Sequence, residues 1–230
     1  MLIRTAIENN VEGRSLAWAL EHPGCFAYGP DGETALESLP ADWRSYVAWS
    51  NRHTDQSWLP DEPAEARLEE TWDGYTIDEQ FEHAEQGYEV NAWFLHDWKP
   101  LTELEVERAL QILSWSRTDV LATVAGVSAD KLNQSYPGER WSIAGILNHI
   151  GGAEWWYLDR LGLAFPRSEV PEQPFQRLEK VRSYLIQVLP GLAGSKQVTG
   201  VSGEIWSPRK LLRRAAWHEL DHLAHIRKLL

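Results

Sequence analysis

Apolar side chains recur at every second position near the start of the chain, the signals stay mixed to about residue 98, and beyond about residue 100 the apolar positions recur every three to four. Ile3, Thr5 and Ile7 alternate with Arg4, Ala6 and Glu8, and Leu16, Trp18 and Leu20 alternate with small residues. This spacing predicts two hairpin strands joined by a turn at Asn9-Asn10. His22-Pro23-Gly24 breaks the pattern, Cys25 to Tyr28 reads as a short third strand, and Gly29-Pro30-Asp31-Gly32 punctuates it. A helix follows with Leu36, Leu39, Trp43, Tyr46 and Val47 on one face, despite Pro40. The apolar run from Val90 to Leu95 predicts a return to the sheet.

The second part of the chain predicts four helices. Thr102 caps the first, with Glu103, Glu105 and Glu107 favourable to its dipole and Leu104, Leu110, Leu113 and Leu121 as its stripe. Ser142 opens a second helix to about Leu161, a third runs from about Pro174 to Leu189, and Ser207-Pro208 opens the last. Gly-Glu-x-Trp-Ser occurs at 138–142 and again at 203–207, each time before a helix. Pro166 and Pro171 lie in a long connection that predicts a crossover between helices two and three. The expected fold class is α+β: a small N-terminal α/β domain over 1–98, then an all-α four-helix bundle over 99–230.

With 43% hydrophobic and 24% charged residues and no apolar run near about 18 residues, the composition excludes a disordered chain and a membrane-spanning helix. The start MLIRTAIENN lacks the features of a signal peptide, which predicts a cytoplasmic protein. The single cysteine, Cys25, makes neither an intrachain disulfide nor a thiolate cage, and is expected to be a buried structural thiol. Nearly all of the net charge of -12 comes from residues 55–90, which hold 12 Asp/Glu against Arg67 alone. That stretch is expected to be an acidic insertion or linker, with a recognition surface for a basic partner as the other reading. Neither half has the positive field that phosphate backbones require, so nucleic acid is not an expected partner. Most of the 13 tryptophans are expected in the core.

Of the eight histidines, His218, His222 and His225 fall within about 60° of one another on the last helix. Imidazoles at i and i+4 can chelate one metal ion. His149 is a fourth candidate, placed on the inward stripe of helix two, where Gly151, Gly152 and Ala153 are expected to leave room for an ion and a ligand. Trp156 and Trp217 are expected to wall that space. His218-Glu219-Leu220-Asp221-His222 also matches HExxH, in which the glutamate serves as base, with no further ligand downstream in this chain. Glu219 stands about 100° off the His218 face, which predicts an exposed or salt-bridged residue instead.

Residues 100–230 resemble the DinB/YfiT-like metal-binding bundles, through Trp141, Ser142 and His149, then Trp206, Ser207, His218 and His222. The resemblance implies three metal ligands at His149, His218 and His222, with His225 in the second shell or touching substrate. It implies a divalent ion, zinc or nickel, with positions left for water, and for some members a low-molecular-weight thiol. Residues 1 to about 50 resemble the HicB-like fold, through His22 to Phe26 and the acidic-start helix at Asp31, Gly32, Glu33, Ala35 and Leu36.

The expected function is a metal-dependent hydrolase or thiol S-transferase acting on a small molecule, with a homodimer as an expected assembly. The alternatives are a regulatory or binding protein with a HicB-like recognition domain and a structural metal, and a zincin-like peptidase.

Overall fold

A computed structural model describes residues 1–54 and 58–230, so the expectation of an acidic linker at 55–57 lies outside the described residues. In chain order the elements are β1 (Leu2–Val11), β2 (Arg14–Ala19), β3 (Phe26–Gly29), α1 (Gly32–Arg52), β4 (Glu65–Asp73), β5 (Thr76–Ile77) and β6 (Tyr88–Glu89). They continue with α2 (Glu103–Val124), α3 (Ala129–Asn133), α4 (Ile143–Arg160), α5 (Pro174–Val188), β7 (Thr199–Val201), β8 (Glu204–Trp206) and α6 (Pro208–Leu229). The protein is thus a mixed α+β chain, a sheet followed by helices. It divides into two compact units, one of Met1–Lys99 with Val198–Arg213, the other of Pro100–Gln197 with Arg214–Leu230.

The first unit is built on a four-stranded sheet ordered β3-β2-β1-β4. The hairpin turn lies at Glu12-Gly13, where both residues have left-handed φ (49° and 79°), three residues beyond the expected Asn9-Asn10. Asn10 does adopt positive φ, 62°, but in the register shift between Glu8 and Val11 rather than in the turn. An asparagine tolerates that conformation in a bulge as readily as in a turn, so the dipeptide misplaces the reversal.

β1 and β2 are buried on both faces. Asp31 caps α1 by accepting from the Thr34 amide at 2.8 Å, and Ala35, Leu39, Trp43, Tyr46 and Val47 form the helix's buried face. On the opposite face of the strands Glu8, itself buried, accepts from Trp18 Nε1 at 3.0 Å and from the Ala92 amide at 2.8 Å. Residues 90–94 therefore cover the sheet without joining it, and a 3-10 turn at Leu95–Trp98 follows them.

β4 corrects the reading of 55–90 as linker: Glu65–Asp73 runs parallel to β1. Its side chains are mostly exposed, so this edge strand shows no apolar alternation and its backbone pairing is invisible to periodicity. Arg4 donates to Glu69 at 2.7 and 2.6 Å, and these bonds with the one from Arg67 hold the Glu69 carboxyl down at about 2.

The hairpin β7–β8 belongs to this unit as well, interrupting what the sequence reads as continuous helical territory. Three-residue strands are too short for periodicity. The available signal was Ser202-Gly203, whose φ values of 50° and 77° make the tight turn. The charged groups buried here are all paired. Arg213 reaches Asp97 at 2.7 Å, Glu204 accepts from Trp206 Nε1 at 2.6 Å, and Lys210 Nζ donates to the Asn91 and Ile205 carbonyls at 2.9 and 3.0 Å.

In the second unit α2 begins with the expected Thr102 cap, closed reciprocally by Glu105. Its inward stripe is not the expected one. Leu104 and Leu121 are exposed, while Val106, Ala109, Leu113, Ser116, Arg117, Val120 and Val124 are buried. Two polar residues on the true inward face broke the apolar pattern. Four long helices, α2, α4, α5 and α6, share a core that includes Val120, Ile146, Ile150, Leu178, Leu223 and Ile226. The connection after α4 carries Phe165, which packs with Trp155 and Val181. No helix among the described residues is long and apolar enough to cross a membrane.

His96, buried in the first unit with Nε2 3.1 Å from Arg209 Nη1, is pushed down to about 4, by burial first and the Arg209 charge second. Between pH 6.5 and 4 the unfolded chain takes up a proton that folded His96 refuses, so stability drops as pH falls through that window. The stability difference between wild type and His96→Gln, which keeps an acceptor for Arg209, should shrink by up to about 3 kcal/mol across it in urea titrations. A difference independent of pH would contradict this assignment.

Candidate metal centre

Two helix starts fix the positions of the histidines. Ser142 caps α4 by accepting from the Gly145 amide at 3.2 Å, and His149 follows two turns later. On α6, His218 and His222 stand one turn apart on one face. The three side chains converge: His218 Nε2 lies 3.0 Å from His149 Nε2 and 3.1 Å from His222 Nε2. One ligand atom from each lies within 4.8 Å of the others, and the three residues could hold a metal ion.

The donor chemistry fits a cation. Burial first, then the neighbouring His222, His149 and Arg214, hold His218 well below the usual imidazole range. A neutral imidazole has one N–H, so His218 Nε2 can share a proton with only one of the two nitrogens facing it. A single divalent ion at their meeting point would take up all three lone pairs.

Aromatic side chains brace the cluster. Trp141 stacks on His149 with centroids 4.4 Å apart and an interplanar angle of 22°, and Tyr157 meets His218 edge-on at 6.1 Å. Trp217 lies 5.8 Å from its neighbour His218 and beneath the Arg214 guanidinium. Trp156 instead packs with Trp155, Phe165 and Val181, 4.7 Å from the Arg160 guanidinium. Tyr157, one position on, thus has the place expected of Trp156. Trp141 was visible only as part of a helix-start motif.

The small residues after His149 do not open a cavity as expected. A Cβ on Gly151 would lie 2.9 Å from Arg177 Cγ, and one on Gly152 would lie 3.7 Å from Arg177 Nη1. The space is taken by Arg177, which donates through Nε to the Pro171 carbonyl at 2.7 Å and through Nη1 to Asn148 O at 3.3 Å. His225 is likewise engaged elsewhere, with Nε2 2.7 Å from Glu139 Oε2.

Glu219 is neither exposed nor at the histidines. Its carboxylate accepts from Arg117 Nε at 2.6 Å and Arg182 Nη2 at 2.8 Å, and from the Ser116 hydroxyl. Glu154 closes the ring with Arg117 Nη2 at 3.0 Å and Arg182 Nε at 2.5 Å. Burial would raise the Glu219 carboxyl, but the Arg182 and Arg117 charges outweigh it and hold the group well below the usual range. A base committed to two guanidinium groups is not available for HExxH chemistry. Arg117, Glu154 and Arg182 escaped the sequence reading; the usable signal was charge within otherwise apolar inward stripes.

A DinB superfamily profile matches residues 112–226, half of the chain and every residue of the cluster. The chain belongs to the DinB superfamily. Comparison with curated proteins and with solved structures returned no match. Within this DinB superfamily chain the HExxH string is a pair of converging histidines around a structural acid.

Replacing Glu219 by Gln leaves Arg117 and Arg182 sharing one carboxylate. Stability should fall by about 3 kcal/mol in urea unfolding with chelator present. An unchanged midpoint would show that the ring does not hold the helices.

Proposed function

We propose that residues 99–230 form a DinB-type four-helix bundle binding one divalent ion, zinc or nickel, through His149, His218 and His222. The bundle acts as a metal-dependent hydrolase or low-molecular-weight-thiol S-transferase on a small molecule. The observation that carries this reading is the convergence of three Nε2 atoms from two helices. Such an ion supplies Lewis acidity and lowers the pKa of a water or thiol that it binds. The chain's part is to hold three imidazoles in place: Trp141 fixes the His149 ring plane, and α6 sets the spacing of His218 and His222.

Among the described residues no fourth side chain joins the cluster, and His225 is bonded to Glu139. Three ligands suit an ion that also binds substrate better than one that only braces a fold. The strand and helix order of residues 2–52 supports a HicB-like reading of the first domain, 1–98. The buried Cys25, whose thiol burial pushes up, fits a cytoplasmic setting without a redox role. A homodimer is part of the proposal, its interface left to solution measurement.

Metal analysis of purified protein should find about one divalent ion per chain, with each His→Ala change at 149, 218 and 222 lowering affinity at least about tenfold. Hydrolysis of a model ester, or thiol transfer, should be lost on chelation and restored by zinc or nickel. Full metal retention by all three variants overturns the site. Metal binding with no turnover of either kind leaves a structural ion and overturns the catalytic reading.

A further inference from the structure

Apart from the histidine cluster, the first unit contains a cleft of about 520 Å³, lined by Ile77, Asp78, Glu79, Phe81, Tyr88 and Ser202 among others. Its shape follows from two short elements: β5 and β6 pair through Thr76↔Glu89 and Ile77↔Tyr88, and the segment between them loops out. Ile77 is buried at 3% exposure, whereas Phe81 is 59% and Tyr88 37% exposed. Two exposed aromatic residues beside a buried aliphatic side chain are unusual for a surface loop.

Charge specifies what suits the cleft. From Ile77 to Glu89 the chain has Asp78, Glu79, Glu82, Glu85 and Glu89 and no Lys or Arg. Asp78 spends one oxygen, Oδ1, on the Gln80 and Glu82 amides at 2.9 and 3.0 Å, which sets its carboxylate at the turn. The acidic excess extends beyond the cleft, 12 Asp/Glu against Arg67 over residues 55–90. That field repels nucleic acid and anionic membranes and attracts cations. It is also longer than a small cation occupying the cleft would need.

We propose that this cleft is a docking site for a basic peptide segment of a partner protein. One arginine lays its aliphatic stem along Ile77 and its guanidinium against the Phe81 or Tyr88 ring, within reach of Asp78 and Glu79. Flanking basic residues lie over the rest of the acidic surface. This docking is independent of the metal reading and survives its failure.

The test uses the isotopically labelled full chain titrated at low salt with nona-arginine, followed by amide chemical shifts and by affinity. Shifts should cluster at residues 77–88 and at Ser202, and affinity should fall steeply with salt. Glu79→Lys and Phe81→Ala should each weaken binding about tenfold or more. Glu37→Lys, an equal charge change at an exposed site on α1, should weaken it less than about threefold. Equal losses from Glu79→Lys and Glu37→Lys, shifts spread over the whole acidic surface, or spermine binding as tightly as the peptide would each overturn the proposal.

Discussion

Four buried charges, one from each long helix, fix the arrangement on which the second unit depends. Arg117 of α2, Glu154 of α4, Arg182 of α5 and Glu219 of α6 form a closed ring in which each carboxylate bridges both guanidinium groups. Spare donors are also used: Arg117 Nη1 meets the Leu178 carbonyl and Arg182 Nη1 the Leu113 carbonyl. A buried charge is tolerable only with its partners in place, so rotating any one helix strands charges on two others. Apolar packing alone is forgiving about helix azimuth; this ring is not. The rotation it imposes on α4 and α6 is the rotation that brings His149 to His218 and His222.

The first unit solves a related problem with a sheet. Its central strands are buried on both faces, which is commoner for parallel than antiparallel strands, and the second cover comes from residues 90–94 together with Arg213 of α6, whose guanidinium lies 4.9 Å from the Trp18 ring. Irregular chain laid over a sheet brings amides that need acceptors. Glu8 accepts from Ala92, Glu204 from the Asn91 amide at 2.5 Å, and Asp97 from Phe94 at 3.0 Å. Three acidic side chains in the interior thus serve as backbone acceptors, and the buried cations Arg213 and Lys210 return donors to the Ala92 and Asn91 carbonyls.

Legibility in the sequence followed the strength of local signals. Thr102 and Ser142 cap helices where the sequence places them, because a cap is a contact within three residues and carries its own residue types. His149, His218 and His222 were legible as candidates from helical spacing and from the resemblance. The edge strand β4 and the hairpin β7–β8 were not, since strands with exposed side chains or three residues carry little periodicity. The charge ring was hidden for another reason: its pairs are separated by 28 to 102 residues, so a charge within an apolar stripe marks a buried group without saying which partner meets it. The glycines after His149 misled because an absent side chain marks a close approach without saying what approaches; here it is Arg177.

The offset of one residue between His218 and Glu219 has a chemical consequence. A carboxylate turned toward the three imidazoles would favour their protonated forms, and each proton held would occupy a lone pair that a cation needs. On α6 the about 100° step from His218 to Glu219 sends that charge to Arg117 and Arg182 instead. The guanidinium groups neutralise it where it stands, and Arg214, whose charge further disfavours protonated His218, adds to the effect. The same five-residue string that elsewhere pairs two ligands with a base therefore separates two roles in this chain. Its histidines converge, and its acid locks the helix that presents them.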